Sequence, residues 1–299
     1  MRILVTGGTG FIGSNIALEL LGQGHDVIIT GTRTGEQQLP EFEGKIIEGH
    51  LNDIDWKQCG KIDLVFHEAA INDTTFSDEK EMFRANVEPA KKLFPFALNA
   101  GCKEIVFATS TAVYGNAKAP FKENGPVAPL NAYARSKLAL EKFAMDFASQ
   151  HPQIKIVGLR YCNVYGPREN HKGKRATMIF QLAQQMRKGN PKLFKFGEQK
   201  RDYIYVKDVV QANLLASKSG KNGIFNCGFG KAVSFNRLVE LLNKALGTSR
   251  VPEYIENPFT AAYQDYTECD MALAKRELGF IPRFGIEKGI EDYFKSGFI

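Results

Sequence analysis

Ile3-Leu4-Val5-Thr6-Gly7-Gly8-Thr9-Gly10-Phe11-Ile12-Gly13 is the stretch on which the fold turns. An apolar run ends in a cluster of glycines, and these lead into a helical pattern from Gly13 to Gln23. Glycines so spaced let the backbone turn tightly, let a pyrophosphate approach a helix N-terminus, and let strand and helix pack closely. A plain glycine turn without a ligand is the alternative; position, spacing and the strand-helix-strand pattern that follows argue against it. Gly7, Gly10, Phe11, Ile12 and Gly13 are therefore candidate cofactor contacts.

Outward from this turn, strand patterns at Asp26 to Thr30, Lys45 to Glu48, Leu64 to Glu68, Glu104 to Thr109 and Lys155 to Arg160 alternate with helical ones. The helices are expected at Glu81 to Ala100 and Tyr133 to Ser149. Alternation of this kind predicts an α/β fold, a Rossmann-like doubly wound parallel sheet. Its strands read as continuous apolar runs because both faces are covered. Near residue 165 the alternation breaks and Gly and Pro become frequent, which predicts a smaller C-terminal α/β substrate lobe over 166–299 beside a dinucleotide-binding domain over 1–165. Tyr205 to Ser217 and Ile224 to Gly228 read as returns of the chain to the first domain. Tyr114 to Leu130, with three prolines, reads as a long loop beside a site.

The net charge of +6 is scattered among 33 acidic residues and forms no block, so nucleic acid is not an expected partner. A milder consequence is a basic pocket for a pyrophosphate ligand. Five cysteines without Cys-x-x-Cys spacing, and no histidine cluster, predict reduced thiols and no metal. No apolar run approaches the roughly 20 residues that span a bilayer, and the N-terminal stretch has neither signal-peptide nor transit-peptide character. The expected location is the cytoplasm. The helices at Glu81 to Ala100 and Tyr133 to Ser149 could pair two subunits into a homo-oligomer or simply cover the sheet.

An acidic residue that holds the adenosine ribose is expected after the second strand, yet Ile28-Ile29-Thr30 runs into Gly31-Thr32-Arg33. With no carboxylate to repel a 2′-phosphate and with Thr32 and Arg33 at hand, NADP is favoured over NAD. Arg33 could equally be a solvated loop residue. His50, in Glu48-Gly49-His50-Leu51 after the third strand, is a base or phosphate contact or an exposed loop histidine.

Tyr133-Ala134-Arg135-Ser136-Lys137 sets a phenol and an ammonium on one helical face. Lys137 should favour the phenolate, so that Tyr133 exchanges a proton with a carbinol oxygen. The spacing alone is weak evidence, since Tyr203 and Lys207 repeat it. Its setting gives it weight: it follows the loop leaving a strand that ends at Ser110, whose hydroxyl can bond the same oxygen. No side chain carries a hydride reversibly, so this trio and a nicotinamide imply one another.

The glycine turn, Tyr133 to Lys137, and Arg160-Tyr161-Cys162-Asn163-Val164-Tyr165-Gly166-Pro167 together resemble extended short-chain dehydrogenases that act on nucleotide sugars, over the whole chain. Within them, Phe66-His67-Glu68-Ala69-Ala70, Thr74-Thr75, Gly166-Pro167-Arg168-Glu169-Asn170-His171-Lys172-Gly173, Pro191 to Phe194, Lys200 to Val206 and Tyr263-Gln264 look like the ADP-glycero-manno-heptose 6-epimerases. The resemblance implies that Ser110, Tyr133 and Lys137 are catalytic, with Tyr133 and Lys137 also holding cofactor. Lys172 matches a second acid/base residue, or else is a basic loop residue on phosphate or solvent. Inverting a carbinol removes hydride from one face and returns it to the other, so the oxygen occupies two positions and two proton donors serve it. Leu51, Ala69, Ala70, Ala85, Asn86 and Val164 match the cofactor groove; Asn163, Lys172, Gln181, Arg201 and Tyr263 match substrate contacts, a guanidinium at 201 suiting a pyrophosphate. The sequence departs from the pattern at Gly31, at Ala85, at Cys162 in place of an aromatic, and at Gln181 in place of histidine. Lys174 and Arg175 make the pocket more basic.

These readings imply a nucleotide-sugar epimerase that inverts carbon 6 of ADP-glycero-manno-heptose through a transient ketone, with tightly bound NADP. The alternatives are a UDP-, GDP- or dTDP-hexose 4-epimerase, a related reductase, and a non-catalytic NADP-binding sensor. A 4,6-dehydratase is disfavoured, because Thr111 and Ala112 follow Ser110 where an acid pair would be needed.

Overall fold

The computed structural model describes residues 1–32, 39–257 and 265–299. Seven strands build a parallel sheet: β1 Arg2–Thr6, β2 Asp26–Gly31, β3 Lys45–Glu48, β4 Leu64–His67, β5 Glu104–Ser110, β6 Lys155–Tyr161 and β10 Gly223–Cys227, in the spatial order β10-β6-β5-β4-β1-β2-β3. Ile3 pairs with Val27 on one side and with Leu64 on the other. Because successive side chains of a strand point to opposite faces, each apolar strand feeds two cores at once. Ile3, Val5, Phe66 and Val106 pack with Ile16 and Leu20 of the helix Phe11–Gly22 and Val209 of the helix Val206–Ala216. Leu4, Val65, Ile105 and Phe107 pack on the other face with Phe94 of the helix Glu88–Asn99 and with Leu140 and Phe147 of the helix Ala132–Gln150.

The strand order reverses at β1, from which the chain steps to β2 on one side and returns at β4 on the other. A reversal of this kind opens a crevice at the C-terminal ends of the strands. Beyond β6 a third core forms around Tyr165, Leu182, Met186, Leu238, Ile290 and Tyr293. It lies under a small sheet of β7 Asn163–Tyr165, β9 Lys200–Tyr205, β11 Ala232–Ser234 and β13 Tyr266–Thr267, with a separate pair formed by β8 Lys192–Phe194 and β12 Glu253–Ile255. Among the described residues no helix is long and apolar enough to cross a membrane.

One expected element is corrected. The helix from Glu81 to Ala100 is two helices, Glu79–Asn86 and Glu88–Asn99, joined at Val87 with φ −117°. Pro89 has no N–H to return to the carbonyl of Ala85, and its ring crowds that carbonyl, so a continuous helix breaks there.

The helix Ala132–Gln150 is tied to the sheet by a buried ion pair. Glu141 accepts from Arg160 Nε and Nη2 at 2.9 and 2.7 Å and from Thr109 Oγ1 at 2.7 Å, with both charged side chains only 5–6% exposed. Removing one partner leaves the other charge buried and uncompensated. Arg160→Met should lower the unfolding free energy by about 3–5 kcal/mol in denaturant titration. Combining it with Glu141→Leu should recover most of that loss. A double variant as unstable as the sum of both single variants would contradict this account of the pair.

Candidate active site

The glycine turn crosses the crevice at the end of β1. The helix Phe11–Gly22 starts at Gly10 with no side-chain cap and no acidic residue in its first turn. Its first N–H groups therefore lack internal partners and carry the positive end of the helix dipole. Gly7, Gly10, Phe11, Ile12 and Gly13 all line the cleft. A Cβ at Gly13 would stand 2.3 Å from the Gly7 carbonyl oxygen, so only glycine allows this turn to fold against the helix. A cradle of bare backbone at a helix start fits a pyrophosphate. At the end of β2, a Cβ on Gly31 would meet the Thr9 side chain at 2.3 Å, so the ribose-binding acid usual in such folds would require Thr9 to move.

Thr32, His50, Leu51, Ala69, Ala70, Ala85 and Val164 continue the cleft wall. Asn86 does not belong to it. Its buried carboxamide bonds the Ile71 N–H and C=O and the Ser136 hydroxyl, so it braces the wall from behind. Arg33 and Tyr263 lie outside the described residues.

Ser110, Tyr133 and Lys137 meet in the same cleft. Asn131 caps the helix that carries two of them, its side chain accepting from the Ala134 N–H at 2.9 Å. Ser110 accepts from the Ala112 N–H at 3.1 Å and lines the cleft together with Tyr133. Lys137 Nζ donates to the Ala108 carbonyl at 2.9 Å and lies 6.0 Å from the centroid of the Tyr133 ring. Burial pushes the Tyr133 phenol above its usual range, and the Ser110 hydroxyl opposes that rise. Burial, opposed by the carboxylates of Glu68 and Glu141, pushes Lys137 down to about 8. The look-alike pair separates in space. Tyr203 lies in β9 at the far end of the cleft, while Lys207 opens the next helix and pairs with Asp292 at 2.7 Å.

Lys172 reaches the cleft from a short 3-10 turn, Asn170–Arg175. Glu169 staples both ends of that loop. Its buried carboxylate accepts from the Gly166 N–H at 3.2 Å, the Thr177 N–H at 2.7 Å and the Thr177 hydroxyl at 3.0 Å, while its carbonyl accepts from the Lys172 N–H at 3.0 Å. Lys172 Nζ stands 5.3 Å from the centroid of the Phe11 ring, over the glycine turn. Burial pushes it below the usual ammonium range, with Glu169 opposing and Arg175 adding to the fall.

Asn163, Gln181 and Arg201 also line the cleft. Asn163 Nδ2 donates to the Asp202 carbonyl at 2.9 Å, Gln181 Nε2 to the Ala176 carbonyl at 2.6 Å, and the Arg201 guanidinium lies 5.8 Å from the Phe235 ring. Arg84 and Phe235 line it as well, and no local sequence pattern marks them. Glu68 and Phe194, quoted above only as parts of motifs, are further additions. Cys162 has a neighbour the sequence concealed: its sulfur, that of Cys269 and an Asp202 oxygen lie within 4.8 Å of one another. Asp202 is already engaged by the backbone N–H groups of Phe229, Gly230 and Cys269. All five cysteines are free.

The cleft encloses about 1260 Å³. Pockets for one small ligand run to roughly 300–1,000 Å³, so two sizeable ligands can lie here end to end.

Residues 3–228 match the NAD dependent epimerase/dehydratase family. The ADP-L-glycero-D-manno-heptose 6-epimerase of Helicobacter pylori superposes with a TM-score of 0.90 at 35% identity, over 99% of this chain and 95% of that one. The UDP-N-acetylglucosamine 4-epimerase of Methanobrevibacter ruminantium, solved with UDP-N-acetylmuramic acid, gives 0.90 at 30% identity, over 98% and 97%. The UDP-glucose 4-epimerase of Thermotoga maritima, solved with UDP-glucose, gives 0.90 at 30%, over 99% of both. With its parallel sheet, its glycine cradle and a match across nearly its whole length, the chain belongs to the NAD dependent epimerase/dehydratase family, among the nucleotide-sugar epimerases.

Proposed function

We propose that this chain inverts carbon 6 of an ADP-glycero-manno-heptose through a transient ketone, with NADP held tightly over the glycine turn. The observation that carries the reading is that Lys172, on a loop far from the helix of Tyr133, opens into the same cleft and is held there by Glu169. A nicotinamide dinucleotide bound against Gly7, Gly10 and Gly13 supplies reversible hydride acceptance, which no side chain provides. The chain's own residues manage the proton. Ser110 and Tyr133 hold the carbinol oxygen in one orientation, and Lys172 meets it in the other after the sugar turns. Burial favours the protonated phenol of Tyr133 and weakens the ammonium of Lys172, so one is suited to give a proton and the other to take it. The carbinol loses a hydride and a proton and regains both, and the proton taken up at one side group returns to the other by exchange with water.

The layer beyond residue 165 would hold the nucleotide sugar, with Arg201 at the pyrophosphate and Leu193, Phe194 and Phe235 offering apolar surface to the base. Asn163 and Gln181 would face the sugar. The 35% identical Helicobacter pylori protein, named as a heptose 6-epimerase, supports this substrate class.

Incubation of the purified protein with ADP-D-glycero-D-manno-heptose should give the carbon-6 epimer by NMR. Tyr133→Phe and Lys172→Met should each lower kcat by about 100- to 10,000-fold. No epimer from the heptose, with a Lys172→Met enzyme that still inverts carbon 4 of a UDP-, GDP- or dTDP-hexose as fast as the wild type, would overturn the heptose assignment.

The missing acid at Gly31 supports NADP, because a carboxylate there would repel a 2′-phosphate. Mass spectrometry of the nucleotide released on denaturation should show NADP; NAD alone would refute that choice.

A further inference from the structure

Glu68 follows β4 and lines the cleft. Both of its oxygens lie 3.1 Å from the Tyr161 hydroxyl on β6. That hydroxyl oxygen is approached at 2.8 Å by Asn213 Nδ2, which also donates to the Val209 carbonyl at 2.9 Å. The Val209 contact fixes the orientation of the amide, since a flipped Asn213 would set oxygen against oxygen. Tyr161 therefore accepts from Asn213, and its single O–H is left to donate to Glu68. The chain Asn213 to Tyr161 to Glu68 points a hydrogen-bond donor at a carboxylate and so favours its charged form.

β4 pairs with β5 up to His67 and Phe107, so Glu68 leaves its strand next to Ala108, whose carbonyl holds Lys137 Nζ at 2.9 Å. Lys137 therefore shares this part of the cleft, with Glu68 and Glu141 as its carboxylate neighbours. Glu141 is neutralised by its two bonds to Arg160 and by Thr109. Glu68 is thus the carboxylate left to balance Lys137.

We infer that Glu68 is a positioning residue for the epimerisation proposed above: oriented by Tyr161 and Asn213, it keeps Lys137 charged and seated on the Ala108 carbonyl beside Tyr133. This rests on the proposed reaction only for its consequence in turnover. The remaining groups facing the pair are Tyr133 beside Lys137 on their common helix, Cys227 on β10, and His67 on β4, which burial and then Lys137 push down to about 3 and leave neutral. Burial raises Glu68, opposed by the Tyr161 hydrogen bond and by Lys137, and lowers Lys137, opposed by Glu68 and Glu141. Acid therefore discharges one member and base the other, which gives the pair a two-sided pH signature.

The test is trace acylation of the full chain with an amine-selective reagent over a pH series, read at the Lys137 peptide by mass spectrometry. Without its carboxylate, Glu68→Gln should move the Lys137 midpoint down by about one pH unit. Tyr161→Phe, which keeps the carboxylate and removes its donor, should move it the same way by less. On the heptose substrate, Glu68→Gln should lose the acid limb of kcat near neutrality and shift the basic limb down with Lys137. A Lys137 midpoint unchanged in Glu68→Gln overturns the inference, whatever happens to kcat. Labelling needs no substrate, so a shifted midpoint in an enzyme that leaves the heptose untouched would sink the proposed function and not the Glu68–Lys137 coupling.

Discussion

The Glu141–Arg160 pair is the contact on which the arrangement of the site depends. Tyr133, Lys137 and Glu141 follow one another at four-residue intervals, so they share one stripe of the helix Ala132–Gln150. At the lower end of that stripe, Glu141 grips Arg160 of β6 and Thr109 of β5 in a buried, bidentate arrangement. Such a pair gives little net stability compared with apolar packing, but it tolerates only one geometry. Sliding or turning the helix would break this buried pair. Tyr133 is therefore delivered to Ser110, the residue after Thr109, and Lys137 to the carbonyl of Ala108, the residue before it.

The opposite wall is held by a different device serving the same end. Glu169 draws Gly166 and Thr177 together and so closes the loop that carries Lys172. One proton-exchanging group is thus fixed from a helix and the other from a stapled loop, across a cleft floored by bare glycine backbone. Preorganisation of this kind spares the site from rearranging as charge moves. Phe11 belongs to both worlds, as a residue of the glycine turn whose ring lies under Lys172.

Much of this was legible in the residues. Apolar runs bounded by glycine announce strands buried on both faces, and the first turn with Tyr133 to Lys137 announces the site. What escaped detection shares a physical cause: it depends on side chains that meet across the fold. Cys162 and Cys269 are distant in sequence, and β6, β9 and β13 bring them together. Asn86 reads as a cleft residue by position, yet its carboxamide is engaged by Ile71 and Ser136. Lys137 was expected beside the phenol of Tyr133; that it is also seated on the backbone carbonyl of Ala108 is something no pattern of side chains can display. The break at Val87 is the exception, since Pro89 stands in plain sight within the helical period that it interrupts.

The account stands on a ketone that turns between two fixed proton-exchanging groups while its hydrogen stays with the same molecule. The most direct measurement follows deuterium placed on carbon 6 of the nucleotide heptose during epimerisation in ordinary water. Retention of the label at carbon 6 of the inverted product is predicted. Its loss to solvent would mean that the centre is inverted by proton abstraction from carbon, and would contradict the account.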